Sequence, residues 1–328
     1  MNDKIENLLE ENRKFSPKTE LTQNANATSE WFDEANENRL EFWKKQALER
    51  ITWFKEPSEI LDDSNPPFFK WFKDGELNLS YNCLDRHLET DSERVAFYWE
   101  GEPGDTQEIT YQDLYERVCR LSNALKKLNV KKGDRVAIYL GMTPEIVVAM
   151  LACARIGAVH SVVFGGFSSE ALADRINDAK AKLVITADGA WRRGDIVPLK
   201  DNVDGSLELT DYIDNVIVVK RTNQDIEMKQ GRDHWYHEIT EKEQPVCEPE
   251  IMNAEDMLYI LYTSGTTAKP KGIVHTQAGY LTGVTTTHHE VFDIKEDDIY
   301  WCAADCGWVT GHSYIIYGPL ANKATSVM

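Results

Sequence analysis

The residues most able to do chemistry run from Leu258 to Gly272, LYILYTSGTTAKPKG. Leu258 to Tyr262 form a short apolar run of strand character. The stretch that follows, Thr263, Ser264, Gly265, Thr266, Thr267, Ala268, Lys269, Pro270, Lys271 and Gly272, is dominated by hydroxyls, glycines and lysines. A loop of that make-up can aim several backbone N–H groups and hydroxyls at one anion while its lysines add mobile positive charge. A polyphosphate is the ligand such a surface suits. The pattern is not G-x-x-x-x-G-K-[ST], because Lys269 precedes Pro270 and Lys271 precedes Gly272. Nor does the chain hold G-x-G-x-x-G. The plainer alternative is a polar surface loop closing a hairpin.

Further clusters carry chemistry-bearing side chains. In Phe164-Gly165-Gly166-Phe167 the paired glycines permit close backbone approach, and the helix start expected just after them favours negative charge. A purely structural turn would use the same residues. The adjacent arginines of Trp191-Arg192-Arg193-Gly194 can clamp a phosphate, the alternative being a solvated loop. The stretch Tyr300 to Tyr314, YWCAADCGWVTGHSY, brings Cys302, Asp305, Cys306 and His312 close in sequence, but without a C-x-x-C pair this spacing does not make a zinc site. His288-His289 cannot share one helix face, and His234 to His237 reads as loop; neither pair acquires a role.

The elements that must position these clusters alternate in type. A helical segment or two is expected over Trp31 to Arg50, then an aromatic-dense region that fills or covers a core. Arg94 to Glu100 reads as a strand. Thr110 caps a helix whose apolar stripe is Leu114, Val118, Leu121, Leu125 and Leu128. Arg135 to Leu140 and Val159 to Phe164 read as strands, separated by a helix that Thr143-Pro144 opens and Gly157 ends. Ser168/Ser169 start a helix to about Ala179, and Leu183 to Thr186 and Val216 to Val219 are short β-branched strands. A helix beginning near Thr276 is expected to turn its N-terminus toward the polyphosphate. This alternation predicts an α/β fold with mostly parallel sheets flanked by helices. Residues 1–30 read as a mobile leader with a weak helix at Ile5 to Glu11. The closing run Lys323 to Met328 is strand-like and is expected to leave an open sheet edge.

Composition narrows the partners. The chain has 328 residues, enough for a sizeable core. Its net charge of −19 disfavours nucleic acid and membrane surfaces, so an anionic ligand must be met by local cations. Six cysteines are scattered, no signal-peptide pattern opens the chain, and no run is apolar enough to span a membrane. A cytoplasmic protein with free thiols is expected.

Thr263 to Gly272 resembles the phosphate-binding signature T-S-G-[ST]-T-G-x-P-K-G of adenylate-forming enzymes, with Ala268 where that family has Gly. Residues Trp71 to Leu88, WFKDGELNLSYNCLDRHL, closely resemble the N-terminal cap segment of acetyl-CoA synthetases, W-[YF]-x-D-G-x-L-N-x-x-x-N-C-[LV]-D-R-H, which luciferases and peptide-synthetase domains lack. Tyr300 to Tyr314 is similar to the same family's Y-W-x-x-A-D-x-G-W-[VI]-T-G-H-[ST]-Y. The resemblance runs from about Trp31 to Met328. It implies the large N-terminal domain of the adenylate-forming fold, truncated: leader 1–30, cap segment 31–92, and the first part of the AMP-binding domain over 93–328. The C-terminal domain with its catalytic Lys would be absent.

The activity implied is AMP-forming acetate–CoA ligation, with acetate, Mg2+-bound ATP and CoA as the small molecules. By the same resemblance Thr263, Ser264, Gly265, Thr266, Thr267, Lys269, Lys271 and Gly272 hold the ATP phosphates. Phe164, Gly165, Gly166, Arg192, Arg193, Gly194, Asp195 and Thr310 belong to the CoA site, Asp195 standing where the family has a base, so that one phosphate contact is either lost or passed to Arg193. Trp308, Val309 and Thr310 line the acyl pocket, and no catalytic residue or metal ligand is assigned within the chain. A ligase for propionate or another short acid, or a non-catalytic nucleotide- or CoA-binding piece, are the alternatives.

Overall fold

The computed structural model describes residues 14–263 and 270–328. The chain enters through helices Thr19–Asn24, Ser29–Glu37 and Arg39–Arg50, the last capped where Asn38 accepts the Glu41 N–H. The end of the segment expected to be a mobile leader is tied down. Asn26 donates its side-chain amide to the carbonyls of His289 and Ile294, and its N–H to Asp293 Oδ1. One Asn offers enough donors to satisfy several loop groups at once, which polar composition alone does not reveal.

A small antiparallel pair follows, β1 (Glu59–Asp62) and β2 (Lys70–Lys73), then β3 (Glu76–Leu77). The Asn78-to-His87 motif comes next, on helices Leu79–Cys83 and Asp85–Asp91, and works as a staple. Buried Asn78 donates to the carbonyls of Ala154, Arg155 and Glu250 at 2.9–3.1 Å. Asn82 exchanges both amide bonds with the Thr52 backbone. Asp85 receives a two-pronged bond from buried Arg155, both contacts 2.8 Å. Arg86 reaches the carbonyls of Arg50 and Ala321, and His87 Nε2 bonds the Leu320 carbonyl at 3.0 Å. Asn78, Asn82, Arg86 and His87 close backbone groups that would otherwise be buried unpaired, and Asp85 neutralises the buried Arg155. Phe72, Leu77, Leu79 and Leu84 thereby join the main core.

The remaining strands are β4 (Val95–Glu100), β5 (Thr106–Thr110), β6 (Arg135–Tyr139), β7 (Val159–Val162), β8 (Leu183–Ala187), β9 (Ala190–Arg192), β10 (Asp195–Val197), β11 (Asn215–Val219), β12 (Asp233–Trp235), β13 (Met252–Asn253), β14 (Met257–Thr263), β15 (Lys271–Thr276), β16 (Ile299–Trp301) and β17 (Thr325–Val327). Helix Tyr111–Lys127 starts on a capping box of Thr110 and Asp113, as the sequence predicts. Helix Pro144–Arg155 is buried along its entire inner run and ends before Gly157, whose φ is +71°. Ser168 caps helix Ser169–Ala179.

Seven strands form the main sheet in the order β12-β11-β8-β6-β7-β14-β15, every pairing parallel except β14 with β15. The chain leaves β6 for β7 on one side and returns to β8 on the other. The crevice above the carboxyl ends of β6 and β8 is therefore a topological switch point, where open α/β sheets bind ligands. A second sheet has the order β16-β17-β4-β5.

Two expectations are corrected. A helix does begin where expected, at Gln277 just after Thr276, but the antiparallel strand Lys271 to Thr276 separates it from Thr263, and Thr276 pairs with Met257 at the far end of the hairpin. Helix Gln277–Glu290 thus starts roughly 17 Å along the strand from Lys271, at about 3.4 Å per residue, so its N-terminus lies at the opposite end of the hairpin from Thr263. The run at Met328 is not an open edge: β17 lies between β16 and β4, and Met328 exchanges backbone bonds with Tyr98 and Glu100.

Candidate functional site

At the switch point lies a cavity of about 270 Å³. The turns leaving β6, β7, β8 and β11 all contribute to its wall, which includes Trp99, Phe164, Gly166, Arg192, Arg221 and Asp305. Two of the clusters singled out in the sequence, about 25 residues apart, meet here. The Arg192 guanidinium lies 4.7 Å from the centre of the Phe164 ring, a cation–π stack. A Cβ on Gly166 would stand 2.2 Å from Arg192 Nη1 and 2.7 Å from Phe164 Cε1, so only glycine leaves room for that stack.

Arg192 is presented by a two-residue hairpin, β9 to β10, with Asp195 opposite Arg192. Arg193 and Gly194 form its turn with φ of +56° and +83°, the backbone a type I′ hairpin needs. Glu102 accepts the Gly194 N–H and pins the tip. Phe164, Gly165, Gly166 and Arg192 line the cavity, whereas Arg193, Gly194 and Asp195 lie beyond its wall on the exposed tip.

The opposite wall was not read from sequence. Arg221 lies 5.1 Å over the Trp99 ring and makes a two-pronged pair with Asp105 at 2.5 and 2.9 Å. Arg221 follows the end of strand Asn215–Val219; the rule that ligands gather at strand carboxyl ends could have flagged it. Asp305 also faces the cavity. Burial pushes its carboxyl group above the usual range, opposed by the Gly307 N–H at 2.7 Å and by the positive charge of Arg192.

Asp305 leads into Trp308, Val309 and Thr310, all exposed at the start of helix Val309–Gly311. The segment abuts the cavity because a Cβ on Gly307 would approach Phe164 Cα to 3.1 Å. Behind it His312 is buried, 4.5 Å from Tyr259 and stacked on His160 at 5.7 Å; burial brings its imidazole down to about 4. Among the described residues, no group of three or more His, Cys, Asp or Glu side chains stands close enough to hold a metal ion.

Of the residues assigned to ATP phosphates, Thr263, Lys271 and Gly272 are described, and all three are exposed. Thr263 pairs with Lys271 at the mouth of the β14–β15 hairpin. Ser264, Gly265, Thr266, Thr267 and Lys269 lie outside the described residues. Because β14 runs parallel to β7, this mouth opens at the same end of the sheet as Phe164 and the cavity.

A crevice at the strand ends, walled by a diglycine turn and an arginine hairpin beside the Thr263–Lys271 hairpin mouth, defines an open α/β domain of the kind that binds ligands at its switch point. Residues 84–328 match the AMP-binding enzyme family, and residues 28–83 match the acetyl-coenzyme A synthetase N-terminus. The chain belongs to the AMP-binding enzyme family. Acetyl-coenzyme A synthetase of Streptomyces avermitilis is 59% identical over 329 residues, covering 100% of this chain and 50% of the relative. Those of Streptomyces coelicolor and Pasteurella multocida are 57% and 55% identical, covering 100% and 98% of this chain and half of each relative. The chain spans about half the length of the curated relatives it matches.

Proposed function

We propose that this chain supplies the N-terminal half of an AMP-forming acetate–CoA ligase. The observation that carries the reading is the meeting of Phe164, Gly166 and Arg192 in one crevice beside the Thr263–Lys271 hairpin mouth. In the reaction the acetate carboxylate attacks the α-phosphorus of ATP and pyrophosphate leaves. The CoA thiolate then attacks the acyl carbon and AMP leaves. Thr263, Ser264, Gly265, Thr266, Thr267, Lys269, Lys271 and Gly272 would spread the charge that builds on the departing phosphates. Phe164, Gly165, Gly166 and Arg192 would take the nucleotide end of CoA, with Thr310 on its arm; Arg193, Gly194 and Asp195 would meet it at the rim. ATP would arrive with Mg2+, to which we assign no protein ligand. The catalytic Lys would lie outside this chain.

The setting we propose is cytoplasmic. All six cysteines are free thiols, and no helix among the described residues is long and apolar enough to cross a membrane.

A second reading, a ligase for propionate or another short acid, draws on the exposure of Trp308 (59%) and Val309 (45%). Val309 would then form one side of the acyl wall, and the rest of that wall would come from the remaining half of the enzyme.

The test is acid-dependent ATP–pyrophosphate exchange by the chain and by the same chain extended through its reading frame, with acetate, propionate and butyrate. Exchange by the extended form with acetate preferred is the expected result. Exchange preferring a longer acid would favour the second reading, and none with any acid would refute both.

A further inference from the structure

Asp188 is fully buried at the carboxyl end of β8 and takes no part in the chemistry described so far. Its Oδ1 accepts three backbone N–H bonds: Gly189 at 2.8 Å, Arg221 at 2.7 Å and Thr222 at 2.9 Å. Its own N–H donates to the Val219 carbonyl at 2.9 Å. Gly189 begins the segment leading into the Arg192 hairpin, and Arg221 and Thr222 form the turn after β11. One oxygen therefore joins the two segments that carry the cavity's guanidiniums. The join is close-packed: a Cβ on Gly189 would stand 2.6 Å from Thr222 Oγ1 and 2.9 Å from Ile196 Cγ2. Oδ2, by contrast, has no hydrogen-bond partner among the described residues.

We propose that Asp188 is a positioning residue for the cavity, clamping the Arg192 hairpin to the Arg221 turn so that both guanidiniums receive the phosphate-bearing end of one ligand. The proposal rests on the reading above, in which that ligand is CoA. Arg221 extends the site beyond the arginines of the hairpin. Its pair with Asp105 uses two of its five N–H donors and leaves the others for a phosphate oxygen. An arginine held by its backbone on one side and by a carboxylate on the other is preorganised, which lowers the ordering cost of binding.

The two oxygens of Asp188 predict different outcomes for two substitutions. Asp188→Asn keeps one acceptor oxygen for the three N–H groups, puts an amide NH2 in place of the other oxygen and removes the charge. Asp188→Ala removes the acceptor for all three N–H groups. Amide hydrogen exchange in the ligand-free protein reads the clamp, and calorimetric titration with CoA, dephospho-CoA and ATP reads its consequence. Asp188→Ala is expected to speed exchange at Gly189, Arg221 and Thr222 and to weaken CoA binding at least tenfold with ATP binding within twofold of wild type. Asp188→Asn is expected to restore slow exchange and CoA affinity to within about threefold. A parallel loss of ATP and CoA binding would show a merely structural role and overturn the proposal. Unchanged exchange in Asp188→Ala would overturn the clamp itself. Faster exchange with unchanged CoA affinity would overturn positioning. Failure of the wild-type protein to bind CoA would refute the reading of the cavity and the ligand named here, while the exchange arm still decides the clamp.

Discussion

Replacing Gly166 by alanine tests whether the Arg192–Phe164 stack is a binding device. The new methyl would stand 2.2 Å from Arg192 Nη1 and 2.7 Å from Phe164 Cε1, where carbon contacts settle near 3.5–4.0 Å. The guanidinium must move more than 1 Å off the ring, since it is the free end of a long side chain and the ring is attached to the cavity wall. The stack itself is worth about 0.5–2 kcal/mol, and a charge-assisted bond from a misplaced guanidinium to phosphate about 1.5–3 kcal/mol. CoA affinity should therefore fall by about 1.5–3 kcal/mol, roughly 10- to 150-fold. Folding stability should change by less than about 1 kcal/mol, because Gly166 does not have a positive φ and Arg192 is exposed. The assay is calorimetric CoA titration of wild type, Gly166→Ala, Arg192→Ala and the double variant, with thermal melts of each. If the effect passes through Arg192, the double variant binds like Arg192→Ala alone. Affinity within twofold of wild type for Gly166→Ala, or losses that simply add, would refute the reasoning.

Other perturbations are equally specific. Asp85→Ala leaves Arg155, 1% exposed, without its carboxylate and should cost about 3–5 kcal/mol in urea unfolding; a loss below about 1 kcal/mol would contradict the staple. His312 and His288 are brought down to about 4 and His87 to about 3, burial being the leading cause in each. Their folded states bind fewer protons than the unfolded chain, whose imidazoles titrate near 6.5, so stability present above about 6.5 is lost as pH falls toward 4. Each site contributes at most about 1.4 kcal/mol per pH unit, and His312→Gln should flatten the urea-midpoint slope between pH 7 and 5 by about one proton; an unchanged slope would count against a neutral buried His312. Asp305 is shifted the opposite way: stability present below about 3.9 is lost as pH rises through its folded value, so Asp305→Asn should raise the melting temperature at pH 7 more than at pH 4. Equal gains at both pH values would disprove this. In the extended enzyme Val309→Ala should shift the ratio of propionate to acetate kcat/KM upward by about tenfold, since one methylene is worth about 1–3 kcal/mol; no shift would remove Val309 from the acyl wall.

Much of the scaffold was legible because its signals are local. Thr110 with Asp113, Thr143 with Pro144 before Gly157, and Ser168 each mark a boundary with side chains a few residues away. Phe164 to Gly166 and Arg192 were legible as residue types suited to a nucleotide. The other wall was not, because Arg221 and Trp99 reach the cavity through strand order, β11 beside β8 and β4 in a different sheet. β15 escaped for a related reason. Its burial shows no alternation over Lys271 to Val274, and only its pairing with β14 makes it a strand. The polar residues of the Asn78-to-His87 motif were matched as a pattern, yet their partners, at Ala154, Arg155, Glu250, Leu320 and Ala321, are set by tertiary structure.

The central place of β17 in its sheet has a consequence for biosynthesis. The Thr325 hydroxyl donates to the Val95 carbonyl across 230 residues of sequence, and Ser326 and Val327 pair with Phe97 and Tyr98. A ribosome adding about 5–20 residues per second needs roughly 10–50 s to bridge that gap. During that interval the β4–β5 hairpin can form, but one flank of β4 keeps its hydrogen-bonding groups unclaimed. Nascent chains would pass through a window in which this flank is open to a neighbouring polysome product, and the window closes only as residues near 325 emerge. Slowing translation between the codons for β4 and those for β17 should therefore lower the soluble yield, whereas slowing it before β4 is made should not.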